Sequence, residues 1–146
     1  MKSARRRSRE FVVQGLYQWQ INAVDATLIA DDLMRAKGFA EADEKHFRAL
    51  LHGVIAHAEQ LRAHLGQCID RPIKELSPVE HAILLLGAYE LEHHIEIPYR
   101  VVINEAVELA KTFGGTDGFK YVNGVLDKLA PHLRAVETAE SKAGRR

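Results

Sequence analysis

Lys2, Arg5, Arg6, Arg7 and Arg9 crowd the first nine positions of the chain, with no acid among them. Five cations on so short a segment suit the oxygens of phosphate groups. Tyr17 follows Arg9 by eight residues, about two helical turns, and Gln14 lies between them. Arginine for phosphate beside an aromatic ring for a base is the combination that single-stranded RNA recognition uses. Lys120 and Tyr121 repeat the pairing far along the chain. Two other readings compete. The basic head could be a solvated tail on a helical scaffold that binds only proteins, and Tyr121 could be a half-buried core aromatic.

The remaining reactive side chains form no comparable set. No glycine-rich loop follows a strand; Gly114-Gly115 reads as a helix stop, and Gly118 lies near it. His57 and His64 lie seven apart, and the adjacent His93 and His94 diverge on a helix. No pair of histidines at metal spacing shares a face with an acid, so neither a metal nor a cofactor is expected. Cys68 is the lone cysteine, without an activating motif or a disulfide partner in the chain. Carboxylate pairs such as Glu105/Glu108 read as solvated faces. No catalytic residues are expected, and the chain reads as a non-enzyme. Asp117, behind a capping Thr116, carries a negative charge suited to a helix N-terminus.

What must position these residues is almost entirely helix. The 146 residues, 47% apolar and 27% charged, are ordinary for one globular domain or two packed subdomains. The formal net charge of zero hides an asymmetry: without the five head cations the rest holds 15 bases against 20 acids, a net of −5. A basic head on an acidic body suggests an anionic partner at the head and a basic partner elsewhere. No apolar run approaches the roughly 18 residues of a membrane span. The charged N-terminus does not resemble a signal peptide, so a cytoplasmic protein without a membrane partner is expected.

Residues 4–21 place Val12, Gly15, Leu16 and Trp19 on one helical face. A second helix starts behind Asp25, uses Leu28, Ile29 and Leu33, and stops near Gly38. A third, over about 43–65, carries the strongest stripe: Phe47, Leu50, Leu51, Val54, Ile55, Ala58, Leu61 and Leu65. Residues 66–76 are irregular around Pro72. Ser77-Pro78-Val79-Glu80 is a capping box opening a broadly apolar, central helix. Another helix starts near Pro98, and the last, capped by Thr116, closes at Pro131. The expectation is an all-α fold of about six or seven helices in two packed helical subdomains. They are an N-terminal three-helix subdomain over 1–65 and a C-terminal helical subdomain over 66–135, with a frayed polar tail over 136–146.

Three stretches carry a family resemblance. They are Arg5-Arg6-Arg7-Ser8-Arg9-Glu10 with Gln14-Gly15-Leu16-Tyr17-Gln18-Trp19-Gln20, then Ile97-Pro98-Tyr99-Arg100-Val101-Val102-Ile103-Asn104-Glu105-Ala106-Val107-Glu108-Leu109-Ala110-Lys111, then Phe119-Lys120-Tyr121-Val122-Asn123-Gly124-Val125-Leu126-Asp127-Lys128. Together they resemble the bacterial transcription antitermination factor NusB, over roughly residues 2–133. The resemblance implies a non-catalytic partner of the small-subunit ribosomal protein that doubles as NusE. The pair would bind single-stranded boxA RNA in ribosomal RNA operons and modify RNA polymerase so that it passes terminators. It implies an RNA surface of Lys2, Arg5, Arg6, Arg7, Arg9, Tyr17, Asp117, Lys120 and Tyr121. Glu75 and Glu80 are the candidates for the basic ribosomal partner. The family often has a tyrosine where Cys68 stands and a basic residue where Leu85 stands, which removes two polar contacts here. Some ribosomal RNA cytosine methyltransferases carry a similar helical domain, but this chain has no room for their catalytic half. A homodimer is left open.

Overall fold

The computed structural model describes residues 2–113 and 117–143. Its elements are α1 (Ala4–Asn22), α2 (Ala26–Met34), α3 (Glu44–Ala56), α4 (Ala58–Gly66), α5 (Pro78–His93), α6 (Tyr99–Phe113), α7 (Gly118–Leu133) and α8 (Ala135–Ala143), with single 3-10 turns at Phe39–Glu41 and Ile73–Glu75. The fold is all-α, with eight α-helices among the described residues. The chain divides into two compact units, Met1–Ala58 and Glu59–Arg146. The expected cap Thr116 and the Gly114-Gly115 stop lie outside the described residues.

In the first unit, local chemistry sets the helix ends. Ser3 Oγ accepts the Arg6 amide at 3.1 Å, Asp25 the Thr27 amide at 2.8 Å and Asp43 the His46 amide at 3.0 Å. Gly38 supplies the left-handed turn that a Cβ would strain, at φ +90°. The stripe of α1 buries Val12, Val13 and Leu16 against α2 and α3. Gly15 makes that approach close: a Cβ there would stand 3.0 Å from Leu51 Cδ1 and 3.1 Å from Leu33 Cδ1. Phe11, Phe39 and Phe47 meet edge to face.

Two sequence expectations change here. Leu28, assigned to the core of α2, is 62% exposed; Ile29, Ala30 and Leu33 do that work. The third helix does not run through to residue 65. It breaks at His57, whose backbone leaves the helical region at φ −109°, ψ 13° and whose ring Nδ1 pairs with the Gly53 carbonyl at 2.8 Å. The His57 amide is shared between the Gly53 carbonyl at 3.1 Å and the Val54 carbonyl at 3.2 Å, so the last turn of α3 tightens there.

Residues 59–65, expected with the first unit, belong to the second. Arg62 Nε donates to His81 Nε2 at 3.2 Å, and His64 Nε2 meets Glu92 Oε2 at 2.7 Å, tying α4 to α5. Burial, with Arg62 adding to it, holds the His81 ring down to about 4, so it is the neutral acceptor this bond needs. Helix α5 is the central buried element, with Ile83, Leu84, Leu85 and Leu86 at 1% exposure or less. It is packed by α6 and α7.

Pro131 does not close the last core helix. It lies inside α7, which continues to Leu133. Nor are residues 136–143 of the tail frayed, since Ala135–Ala143 is helical and Thr138 is buried; residues 144–146 lie outside the described residues.

Gly87 faces α7 so closely that a Cβ would stand 2.8 Å from Leu126 Cδ1 and 3.2 Å from Cδ2. Gly87→Ala gains about 1 kcal/mol of helix propensity. Overpacking a tight core costs about 1–3 kcal/mol. A net loss is therefore expected, read as a lower urea midpoint at unchanged slope. A higher midpoint would mean that Leu126 rotates away freely.

Candidate nucleic-acid interface

The basic head is not a solvated tail. It forms the first turns of α1, and it is pinned. Ser8, fully buried, accepts the Asp43 amide at 2.9 Å, and its hydroxyl proton faces the carbonyls of Asp43 at 2.7 Å and Ala4 at 3.0 Å. The Asp43 amide also reaches the Ala4 carbonyl at 3.3 Å. These bonds fix the head to the start of α3.

From this anchor the head cations fan out unequally. Arg5 is exposed. Lys2 Nζ pairs with Glu10 at 2.7 Å, and Arg7 with Glu41 at 3.2 Å. Arg6 is half-buried and engaged by neighbours. Arg9 departs from the sequence reading. It is 5% exposed, turned inward on the same stripe as Val12 and Leu16. Its guanidinium is therefore spent within the fold. Tyr17 is 42% exposed. At 100° per residue, Arg6, Glu10 and Tyr17 (i, i+4, i+11) fall on one strip of α1.

The second unit carries a separate cluster at the start of α7. Asp117 occupies the cap position, but its side chain makes no capping bond. Instead it meets Lys120 Nζ at 3.4 Å, both side chains well exposed. Tyr121 is half-buried, and the Arg71 guanidinium lies over its ring, 4.5 Å from the centroid. Asp70 grips Arg71 through Nε–Oδ1 at 2.8 Å and Nη2–Oδ2 at 3.4 Å, and the Tyr121 hydroxyl donates to Asp70 at 3.5 Å. The Arg71 bond holds the Asp70 carboxyl below its ordinary range. Burial raises the Tyr121 phenol, with Asp70 and Glu80 adding to it against Arg71.

Glu80 borders this cluster. The capping box forms with a variation: Ser77 Oγ accepts the Glu80 amide at 3.1 Å, and the Ser77 hydroxyl donates to Glu80 Oε1 at 3.0 Å. The other carboxylate oxygen stands 3.4 Å from where a Cβ of Gly118 would be, so an anion sits by the N-terminus of α7. Glu75 is exposed on its 3-10 turn.

Sequence reasoning missed Arg71 and Asp70. They lie in the irregular stretch before α5, where no periodicity marks a face. Cys68 and Leu85 are both buried, so neither offers a surface contact; burial raises the Cys68 thiol, against Lys128. Among the described residues no group of three or more His, Cys, Asp or Glu is placed to hold a metal ion, and no helix is long and apolar enough to cross a membrane.

Each unit thus sets cations beside an aromatic ring, Tyr17 in the first and Tyr121 in the second. The model of the NusB family matches residues 6–131. The chain belongs to the NusB family. A transcription antitermination protein NusB from Paraburkholderia phymatum is 64% identical over 138 residues, covering 94% of this chain and 95% of the relative. One from Bordetella pertussis is 57% identical over 140 residues, 93% and 91% of the two chains. The solved structure of T. maritima NusB superimposes with a TM-score of 0.83 at 28% identity, over 95% of this chain and 99% of that one. A structure of antitermination factors NusB and NusE in complex with dsRNA has a TM-score of 0.77 at 21% identity, covering 90% of this chain and 99% of that chain. That last likeness speaks for the NusB fold alone.

Proposed function

We propose that this member of the NusB family is an RNA-binding transcription antitermination factor. It pairs with the small-subunit ribosomal protein that acts as NusE, binds boxA-type RNA, and promotes processive transcription of ribosomal RNA operons. It acts by binding rather than catalysis, alongside RNA polymerase in the cytoplasm. The observation that carries the reading is the arginine head held as the first turns of α1, in line with the exposed ring of Tyr17. Lys2, Arg5, Arg6 and Arg7 serve the phosphates, and Tyr17 serves a base. Lys120 and Tyr121 form a second contact, with Asp117 placed to accept from a base amino group. Arg9 acts by fixing the head from inside. Glu75, exposed and acidic, faces the basic ribosomal partner; Glu80 is held by Ser77 and contributes less.

The test is a titration with a short boxA-like RNA and a scrambled strand, at two salt concentrations, with and without the ribosomal protein. Preference for the boxA-like strand, strengthened by the partner, is the expected result. For five neutralised phosphates on a single strand, log affinity falls against log salt with a slope of up to about −3.5. Arg6→Ala with Arg7→Ala flattens that slope by about 1.4 and leaves the helical circular dichroism unchanged. A slope near zero in the parent protein, or equal weak binding to both strands with or without the partner, would overturn the reading.

A further inference from the structure

We infer that Asp70 is an internal stand-in for a backbone phosphate, and that RNA displaces it to gain Arg71 as a further contact. This rests on the RNA-binding reading above and adds to it a residue pair and a mode of engagement.

The geometry is that of an occupied phosphate site. Asp70 meets the Arg71 fork at two points, Nε at 2.8 Å and Nη2 at 3.4 Å. A guanidinium offers phosphate the same two parallel N–H donors that it offers a carboxylate. The Tyr121 hydroxyl adds a third donor to the same carboxylate, at 3.5 Å. The fork is preset, because the guanidinium is stacked over the Tyr121 ring, 4.5 Å from its centroid. Side chains of this kind lose less freedom when the ligand arrives.

The occupant is weakly held. The Asp70 side chain is 68% exposed and that of Arg71 42% exposed. Exposed ion pairs contribute little, so a phosphate brought in by the rest of the RNA can take the carboxylate's place. The direction of approach is open for the same reason. Lys120, next to Tyr121 in the chain, sets a further cation on the same helix turn. After exchange Asp70 swings to solvent, where its charge is screened. Its pairing with Arg71 must be given up on binding, so removing the charge strengthens binding.

The experiment measures affinity of the full chain for the short boxA-like strand, at low and at moderate salt, for four proteins: the parent, Asp70→Asn, Arg71→Gln and the double variant. Asp70→Asn is expected to bind roughly twofold to fivefold more tightly at low salt, the size of one surface ion pair. Its salt slope stays near the parent's, since both make the Arg71 contact, whereas Arg71→Gln flattens the slope by about 0.7, one phosphate lost. Arg71→Gln binds more weakly than the parent, and Asp70→Asn adds little on top of it. An unchanged or weakened Asp70→Asn overturns the inference. So does an equal gain with and without Arg71, which would mark a general charge effect. Both of those outcomes leave the RNA reading intact if the parent binds and Arg6→Ala with Arg7→Ala weakens it. A parent that binds no RNA overturns both.

Discussion

Arg134→Ala is expected to remove about 3–5 kcal/mol of stability, the usual cost of taking one partner out of a buried charged network. The guanidinium is 3% exposed, and all five of its N–H donors are used. Nε donates to the Leu91 carbonyl at 2.6 Å. Nη2 donates to the carbonyls of Glu90 at 3.2 Å and His94 at 3.0 Å. Nη1 donates to the Ile97 carbonyl at 3.0 Å and to Glu137 Oε1 at 2.6 Å. The first three acceptors lie at the end of α5, where the intrahelical ladder runs out; the Glu90 and His94 carbonyls also accept the His94 and Ile97 amides, each at 3.0 Å. The other oxygen of Glu137 accepts the Tyr99 amide at 2.8 Å, at the opposite kind of end, the start of α6. One arginine and one glutamate thus cap two helices and anchor α8.

Alanine takes the arginine donor from the Leu91 and Ile97 carbonyls, takes the second donor from the Glu90 and His94 carbonyls, which keep the His94 and Ile97 amides, and leaves Glu137 with the Tyr99 amide alone. Lysine does little better, because three donors on one nitrogen cannot span the fork. The measurement is the urea midpoint of the parent, Arg134→Ala and Arg134→Lys. A loss under about 1 kcal/mol would mean that water reaches these carbonyls freely. The pair also gives a pH signature. Burial alone would raise the Glu137 carboxyl, but the Tyr99 amide and Arg134 outweigh it and hold it below its ordinary range. A depressed carboxyl binds fewer protons folded than unfolded. Its stabilisation is therefore complete above the ordinary carboxylate pKa of about 4.3. It is lost as the pH falls through the lower folded value.

That node was illegible in the sequence. Arg134 follows a proline that reads as a helix stop, and its acceptors are backbone carbonyls, which have no letter. The tail beyond it looked too polar to order for the same reason: Glu137 and Thr138 are fixed by Arg134 and its carbonyl, not by an apolar stripe. Features written within one turn were legible. Asp25, Ser77 and the left-handed Gly38 act where they stand in the chain. Arg9 marks the boundary between the two cases. Its letter says phosphate, yet it lies three, four and seven residues before Val12, Val13 and Leu16, so the apolar stripe runs through it. Helix phase outweighed residue type. The Asp70–Arg71 pair meets Tyr121 across 51 residues of chain, from a segment with no period, and only the tertiary fold joins them.

Phe47→Ala is expected to cost the first unit about 3–5 kcal/mol. Phe47 is 0% exposed on α3. Its ring centroid lies 5.1 Å from Phe39 on the turn after α2 and 6.5 Å from Phe11 on α1, with Phe11 and Phe39 5.1 Å apart. Each contact is edge to face, the arrangement aromatic quadrupoles favour. Alanine removes the ring that touches both others, and two rings held by separate elements cannot close the gap without moving a helix. Phe47→Leu keeps most of the volume and is expected to lose about half as much or less. The functional reading depends on the same contact. The trio holds α1 to α3 where Ser8 and Asp43 pin the basic head. RNA affinity of Phe47→Ala should therefore match the parent at temperatures where it is folded, and vanish with its thermal transition. Weakened binding while the helical signal is intact would show that the head is positioned by the aromatic core and not by the Ser8 bonds alone.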